Sequence, residues 1–187
     1  MLKKILRYLF PNQYKSLAYW RQYRHATNHL LGNHFQEREK LFDEMVQRSL
    51  GHPSLQIGVR NQKYAPHWTS VDLFDTADYI DFNYDVQDMP FEDESFDFIA
   101  CNAVLEHIPY LEKAIAEFLC LLKPNGEVWI EIPLNQPYHP SPQDYWRVTP
   151  EGMQIWMRDF EEIHIGLLSP YKSSIYKCNF LSRQETY

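Results

Sequence analysis

Residues 85–102 read DVQDMPFEDESFDFIACN and fall into two parts of opposite character. The first part, 85–95, holds five acidic residues and a proline, which predicts a surface loop. The second part, 96–101, is a short and nearly continuous apolar run, typical of a parallel strand buried on both faces. Asn102 follows that strand directly. Because parallel sheets bind ligands at the carboxyl ends of their strands, the sequence predicts a ligand-binding edge next to Asn102.

The same alternation of strand and helix extends in both directions from this stretch. A helix is predicted over 111–122, where apolar residues recur every three or four positions, and another begins at Thr149, a capping residue followed by proline. Further strands are predicted at 54–58, 68–72, 80–83, 128–132, 162–167 and 174–178. This order predicts an α/β fold, a Rossmann-like three-layer sandwich with a mostly parallel central sheet.

The first fifty residues have a different character, because they are basic and helical in pattern. Residues 1–40 carry eight Lys and Arg against two acidic residues, although the whole chain has a net charge of −7. We divide the chain into an N-terminal helical extension, 1–50, and an α/β domain, 51–187. The apolar stripe of residues 1–10 fits a helix packed on the domain, a homodimer contact or a weak membrane-surface contact.

Composition excludes several classes of protein. The six glycines never approach GxG spacing, which excludes a dinucleotide fingerprint, a Walker loop and a GxSxG elbow. The acidic body argues against nucleic-acid binding. Three scattered cysteines and the lack of a signal peptide or a bilayer-length apolar run predict a reduced, cytoplasmic protein. His25 and His29 lack a third ligand nearby, so we predict no metal site.

Three motifs occur in order along the chain: DVQDMPFEDESFD (85–97), LEH (105–107) and LKPNG (122–126). This succession closely resembles the class I S-adenosylmethionine-dependent methyltransferases, in particular the methyltransferase type 11 group. The resemblance covers roughly residues 54–165. It implies a transferase that uses S-adenosyl-L-methionine as its cofactor.

The resemblance also implies cofactor-binding residues. Asp72, at the end of the second predicted strand and followed by Leu73, would hold the ribose hydroxyls; a helix cap or a solvated turn is the alternative. Asp85 and Val86 would face the adenine, in a pocket completed by Met89 and Phe91; a loop carboxylate in water is the alternative for Asp85. Asn102 would lie where cofactor and acceptor meet.

The chain departs from the resembled family at the first motif. There the family carries ExGxGxG, whereas this sequence reads Gln56-Ile57-Gly58-Val59-Arg60-Asn61, so that only Gly58 remains. Arg60 or Asn61 is a candidate to bind the methionine carboxylate in compensation, and an ordinary surface arginine is the alternative. The loss of two glycines keeps a second reading open: a catalytically impaired methyltransferase-fold protein that acts as a binding or scaffold module.

The segment 133–147 is rich in proline and aromatic residues and lies where the family has its acceptor loop. His139 is the candidate base of this loop, because its ordinary pKa lies near neutrality, and Asp144 is the candidate to orient it. Tyr145 or Trp146 would stack on the acceptor. The alternative is that His139 and Asp144 only tie the loop to the domain. The resemblance implies a small-molecule or glycan acceptor.

Overall fold

The structure of the protein is a computed structural model that describes residues 34–59, 61–134, 136–167 and 175–182. The predicted helix at 1–10, the His25–His29 pair and Arg60 lie outside the described residues.

A six-stranded sheet forms the centre of the molecule, in the order β2-β1-β3-β4-β6-β5. The first four strands run parallel, and β6 runs antiparallel to both of its neighbours. In chain order the elements are α1 (His34–Arg48), β1 (Ser54–Ile57), β2 (Thr69–Val71), β3 (Phe96–Asn102), a 3₁₀ turn (Leu105–His107), α2 (Leu111–Leu121), β4 (Leu122–Pro133), α3 (Pro150–Trp156), β5 (Phe160–Leu167) and β6 (Ile175–Ser182). The predicted fold class, a mostly parallel sheet flanked by helices, is confirmed.

Both faces of the sheet are covered. On one face the apolar stripe of α2 packs on the inward side chains of β1, β3 and β4 in a single cluster that includes Ile99, Ile130 and Phe118. On the other face Phe42 and Met45 of α1 pack against Trp129. Alternate residues of β3 and β4 thus enter different clusters, which explains why these strands read as continuous apolar runs.

The predicted strand at 80–83 is wrong: this segment contributes a single bridge between Phe82 and Val71. The Asp81 carboxylate accepts a hydrogen bond from Ser70 N at 2.8 Å, and Ser70 O accepts from both Asp81 N and Phe82 N. These bonds join the segment to the end of β2 as a turn, so a regular ladder does not continue.

Helix α3 begins as its sequence predicts. The Thr149 side chain accepts a hydrogen bond from Gly152 N, and Pro150 occupies the first helical position. This helix follows the acceptor loop and fixes its outgoing end, since Val148 is buried in the core next to Met153.

Among the described residues, no helix combines the length and apolar character that a bilayer crossing requires. The division of the chain at residue 50 stays a prediction.

Candidate active site

A cleft of about 820 Å³ opens at the carboxyl ends of β1, β2 and β3. Six of the seven predicted cofactor-binding residues lie on its wall; the seventh, Arg60, is outside the described residues. The six are Gly58, Asp72, Leu73, Asp85, Val86 and Asn102. The roles assigned to them remain predictions, but the fold brings them to one place.

Gly58 ends β1 with a φ of +76°, a conformation that side chains other than glycine rarely adopt. A Cβ atom there would lie 2.1 Å from Val104 Cγ2 and 3.3 Å from the Asn102 carbonyl oxygen. This position therefore needs glycine both for its backbone conformation and for the close approach of the chain that follows β3.

Asp72 lies at the end of β2, and its carboxylate is already partly engaged. Oδ1 accepts hydrogen bonds from Phe74 N and Asp75 N, both at 2.9 Å, while Oδ2 has one long contact of 3.4 Å with Val59 N. The side chain thus caps the turn after β2, and Oδ2 keeps most of its capacity to accept a hydrogen bond from a ligand.

The loop after residue 84 turns around Asp85. Its carboxylate accepts hydrogen bonds from the backbone and the side-chain amide of Gln87, and Gln87 Oε1 is buried with no partner among the described residues. Met89 and Phe91 were expected in the adenine pocket, but they are not among the residues that line the cleft. The Met89 side chain is buried in the core, and its backbone amide donates to Glu117 Oε1 at 2.9 Å. Phe91 packs edge-on against Phe96.

The side-chain amide of Asn102 has a hydrogen-bond partner for its nitrogen but not for its oxygen among the described residues. Its Nδ2 donates to the Tyr64 hydroxyl at 2.6 Å, while Oδ1 is buried with no partner among the described residues. Burial raises the pKa of Tyr64, so this hydroxyl stays neutral at physiological pH. A buried carbonyl oxygen without a donor is costly. Both orphaned oxygens, on Asn102 and Gln87, belong to residues that line the cleft.

The loop 136–147 closes the other side of the cleft and is held by Arg147. This guanidinium donates to both oxygens of Asp144, at 2.6 and 2.7 Å, and to the Gln136 carbonyl at 2.8 Å. It holds the pKa of Asp144 well below its usual range. The Asp144 side chain is 2% exposed and does not line the cleft. Asp144 thus makes the contacts expected of a residue that ties the loop to itself through Arg147.

His139 lines the cleft beside this ion pair. Its backbone amide donates to Asp144 Oδ2 at 2.8 Å, and its Nδ1 lies 2.8 Å from the Pro137 carbonyl oxygen. Tyr145 also lines the cleft and is 45% exposed. Trp146, in contrast, donates its Nε1–H to the Ile108 carbonyl and packs on Trp156, so it is part of the loop's anchor.

Sequence reasoning missed Glu106. This residue is fully buried, yet it lines the cleft, and neither carboxylate oxygen has a hydrogen-bond partner among the described residues. Burial raises its pKa to about 7, against the opposing effects of its own backbone amide and of Arg147. Its carbonyl oxygen accepts from Tyr145 N at 2.7 Å. The LEH motif was the available signal, but the sequence did not show that the acceptor loop folds over it.

Comparison with known proteins agrees with this architecture. Residues 61–130, somewhat more than a third of the chain, match the family model of a methyltransferase domain. A segment of 54 residues is 35% identical to the ubiquinone/menaquinone biosynthesis C-methyltransferase UbiE of Brucella suis (strain ATCC 23445 / NCTC 10510). That segment is 29% of this chain and 19% of the relative, so the chain matches only about a fifth of that protein's length.

Two solved structures illustrate the likeness in fold. The 1,6-didemethyltoxoflavin-N1-methyltransferase of Burkholderia thailandensis, crystallised with 1,6-didemethyltoxoflavin and S-adenosylhomocysteine, is 13% identical with a TM-score of 0.61. The alignment covers 91% of this chain and 90% of that one. The [4+2]-cyclase SpnF is 13% identical with a TM-score of 0.59, over 79% of this chain and 81% of that one.

Residues 61–130 thus match a methyltransferase domain, and the fold of the described residues is that of solved S-adenosylmethionine-dependent methyltransferase structures. The resemblance seen in the three motifs is confirmed.

Proposed function

We propose that the cleft binds S-adenosylmethionine and that the protein transfers its methyl group to a small-molecule or carbohydrate-type acceptor. The observation that carries this proposal is the convergence of Gly58, Asp72, Asp85 and Asn102 at the carboxyl ends of parallel strands. Such strand ends are where sheets of this type bind nucleotides.

The residues present fit the adenosine part of the cofactor. Asp72 Oδ2 has free capacity to accept from a ribose hydroxyl, while Asp72 Oδ1 keeps the turn in place. The buried oxygens of Gln87 and Asn102 need hydrogen-bond donors, which the amino and hydroxyl groups of a nucleoside supply. Gly58 lets the backbone approach closely where a Cβ atom would clash.

When bound, the cofactor supplies a sulfonium methyl: the acceptor nucleophile forms the new bond to carbon, the carbon–sulfur bond breaks, and S-adenosylhomocysteine leaves. The protein's share is to hold the two reactants close and aligned, which by itself lowers the barrier substantially. His139 lies on the acceptor side as the candidate base and Asp144 as its candidate orienting group, and both assignments stay predictions.

The acceptor side of the cleft favours a flat or sugar-like molecule. Tyr145, in the acceptor loop, lines the cleft and is 45% exposed. Aromatic rings presented in this way pack well on the apolar face of a ring or a sugar. Of the two aromatic residues considered for stacking, Tyr145 is the one that remains available.

A titration calorimetry experiment with S-adenosylmethionine and S-adenosylhomocysteine tests the proposal. We expect both ligands to bind to the full chain. A second assay then measures transfer of label from methyl-labelled cofactor to a panel of phenolic, enolic, amine and sugar acceptors. No heat and no thermal stabilisation at millimolar ligand would overturn the proposal. That result would favour the second candidate, a methyltransferase-fold binding or scaffold module, which is supported by the single remaining glycine of the first motif.

Three further assignments remain proposals of the same kind. They are a cytoplasmic location, a homodimer, and a weak membrane-surface contact through residues 1–10.

A further inference from the structure

A buried carboxylate without a partner marks a second feature of the cleft. The Glu106 side chain has no exposed surface, and neither oxygen accepts a hydrogen bond from the described residues. Placing an ionised carboxylate in such surroundings costs several kcal/mol unless a positive charge lies next to it. A buried carboxylate avoids this cost by keeping its proton or by binding a cation, so the groups around Glu106 decide whether a cation can bind there.

Two imidazole nitrogens point at the same carboxylate oxygen. Glu106 Oε1 lies 3.8 Å from His107 Nε2 and 3.8 Å from His139 Nε2. One ligand atom from each of the three residues falls within 4.8 Å of the others. The rings of the two histidines meet edge to face, with centroids 5.2 Å apart.

The other ring nitrogens decide the tautomers. His107 Nδ1 is hydrogen-bonded to the Gln143 carbonyl, and His139 Nδ1 to the Pro137 carbonyl at 2.8 Å. A carbonyl oxygen can only accept, so each Nδ1 carries the hydrogen and each neutral ring presents the lone pair of Nε2.

Arg147 does not change this assignment. Its Nη2 lies 3.2 Å from His139 Nδ1, but its two hydrogens are directed to Asp144 Oδ2 at 2.7 Å and to the Pro137 carbonyl at 3.1 Å. In a protein's metal centre, a ligating histidine almost always donates its second ring N–H to a carboxylate or a backbone carbonyl. Both histidines here make that bond.

We propose that Glu106 Oε1, His107 Nε2 and His139 Nε2 bind a divalent transition metal ion, with Zn²⁺ as the ion that best fits this donor set. Two histidines and one glutamate, with a fourth position left open, form a ligand set of catalytic zinc sites. Zinc–ligand bonds of about 2.0–2.2 Å in a tetrahedral site place neighbouring ligand atoms roughly 3.3–3.6 Å apart. Both separations from Glu106 Oε1 are 3.8 Å, so each histidine would move inward by a few tenths of an ångström to bind the ion.

Sequence analysis predicted no metal site, because it considered only the His25–His29 pair, which lacks a third ligand nearby. The acceptor loop brings the three ligands together: Tyr145 N and Trp146 N donate to the Glu106 carbonyl, and this folds the loop over the LEH turn.

The open position of this site faces the cleft that all three ligands line. This step rests on the proposed function: a metal there would bind the oxygen of a hydroxyl or enol acceptor and lower its pKa, so that the acceptor loses its proton to water before it takes the methyl group. His139 cannot then serve as the base, because the same Nε2 atom is a metal ligand. We therefore expect the acceptor to be a molecule that binds the metal through an oxygen and is methylated at that oxygen or at an atom next to it.

Cobalt(II) titration of the full chain, followed by its visible absorption and competition with Zn²⁺, tests the site. We expect one equivalent per chain. His107→Gln and His139→Gln should each weaken binding by more than the roughly 10–100-fold produced by loss of an outer-shell partner. Glu106→Gln provides a third variant, and circular dichroism checks its folding.

Two controls match these variants. His52→Gln removes an exposed histidine near Asp97, at the edge of the sheet opposite to the cleft, and His25→Gln/His29→Gln removes the spaced pair seen in the sequence. Both controls should bind cobalt as the wild type does. Absence of binding to the wild type, loss of binding in either control, or unchanged affinity in His107→Gln and His139→Gln would overturn the proposal.

S-adenosylhomocysteine affinity, measured on the same samples, separates the two proposals. Circular dichroism and thermal unfolding of the three ligand variants check that loss of metal binding is not loss of fold. A wild-type chain that binds cobalt through these residues but not S-adenosylhomocysteine would retain the metal site and lose the proposed function.

Discussion

Arg147 and Asp144 form a bidentate pair within one loop, with Nη1–Oδ1 at 2.6 Å and Nη2–Oδ2 at 2.7 Å. The same guanidinium reaches the carbonyls of Gln136 and Pro137, so a single side chain joins both halves of the segment that carries His139. The order of the acceptor side of the cleft thus depends on a contact that does not itself face the acceptor.

This relationship predicts the effect of Arg147→Lys. Lysine cannot make the planar, two-pronged contact. We expect the local opening free energy of residues 136–148 to fall by about 1.5–3 kcal/mol, the range for hydrogen bonds to charged groups. Hydrogen exchange measures it, with the exposed Arg158→Lys as control. Unchanged protection of the loop amides would contradict the assignment.

A second prediction concerns Asp72. In Asp72→Asn the amide oxygen can still cap Phe74 N and Asp75 N, while the amide nitrogen cannot accept from a ribose hydroxyl. We expect affinity for S-adenosylhomocysteine to fall by about 1.5–3 kcal/mol with the midpoint of urea unfolding unchanged. Asp78→Asn removes one exposed charge nearby and should leave affinity as it is. Equal affinities of the two variants in calorimetry would refute a ribose contact.

The fold was predictable because its signals are local. The apolar run at Phe96–Asn102 and the stripe of Leu111–Leu121 carry their periodicity in the sequence, and both elements formed where expected. The strand at 80–83 failed for a local reason too. Its short apolar pattern could not reveal that the Asp81 carboxylate would bond to Ser70.

Only those site residues that lie at the ends of strands could be predicted from the sequence. Asp72 and Asn102 lie at strand ends, whose place in the fold follows from the strand pattern. Glu106 depends on a loop more than thirty residues downstream, and the pairing of that loop with the LEH turn has no periodicity to indicate it. The LEH turn therefore gave the family resemblance but not the carboxylate's surroundings.

A third prediction uses two glycines with similar backbone angles. Gly51→Ala, at φ +81° with nothing within 4 Å of the new Cβ, should cost only the left-handed backbone penalty, about 1–2 kcal/mol. Gly58→Ala, at φ +76°, adds the clash with Val104 and should be clearly more destabilising in urea unfolding. The double variant Gly58→Ala/Val104→Ala should recover part of that difference. Equal costs at Gly51 and Gly58 would contradict the close approach at β1.

A fourth prediction follows from the pKa of Asp81. Burial alone would raise it, but the salt bridge with Lys63 and hydrogen bonds from Ser70 lower it below the ordinary 3.8. Because the pKa of Asp81 is lower in the folded than in the unfolded protein, ionised Asp81 stabilises the fold at pH values above the unfolded-state pKa. This contribution disappears as the pH falls through the folded-state pKa. At pH 7 the unfolding free energies of the wild type and Asp81→Asn should differ by about 0.2–1 kcal/mol. This difference should shrink as the pH falls below 4. A difference that is constant from pH 7 to pH 3 would rule out this source.

The last prediction concerns the ion pair that joins α1 to the sheet. Glu131 Oε1 accepts from Arg38 Nε at 2.8 Å, Arg38 Nη2 at 2.7 Å and Trp129 Nε1 at 2.8 Å, and the Glu131 side chain is 6% exposed. Arg38→Met leaves a buried carboxylate with one donor, so we expect a loss near the lower end of the roughly 3–5 kcal/mol seen for broken buried pairs.

Two comparisons make this test specific. Adding Glu131→Gln to Arg38→Met should restore part of the loss, because the uncompensated charge is then gone while the Trp129 bond can persist. Arg48→Met breaks a pair whose arginine is 50% exposed, with Glu127 on the same strand, and should cost under about 1 kcal/mol. Urea unfolding of the four proteins gives the ranking. If Arg38→Met cost no more than Arg48→Met, the Arg38–Glu131 pair would act as a surface contact, and the docking of α1 would depend mainly on apolar contacts such as those of Phe42 and Met45.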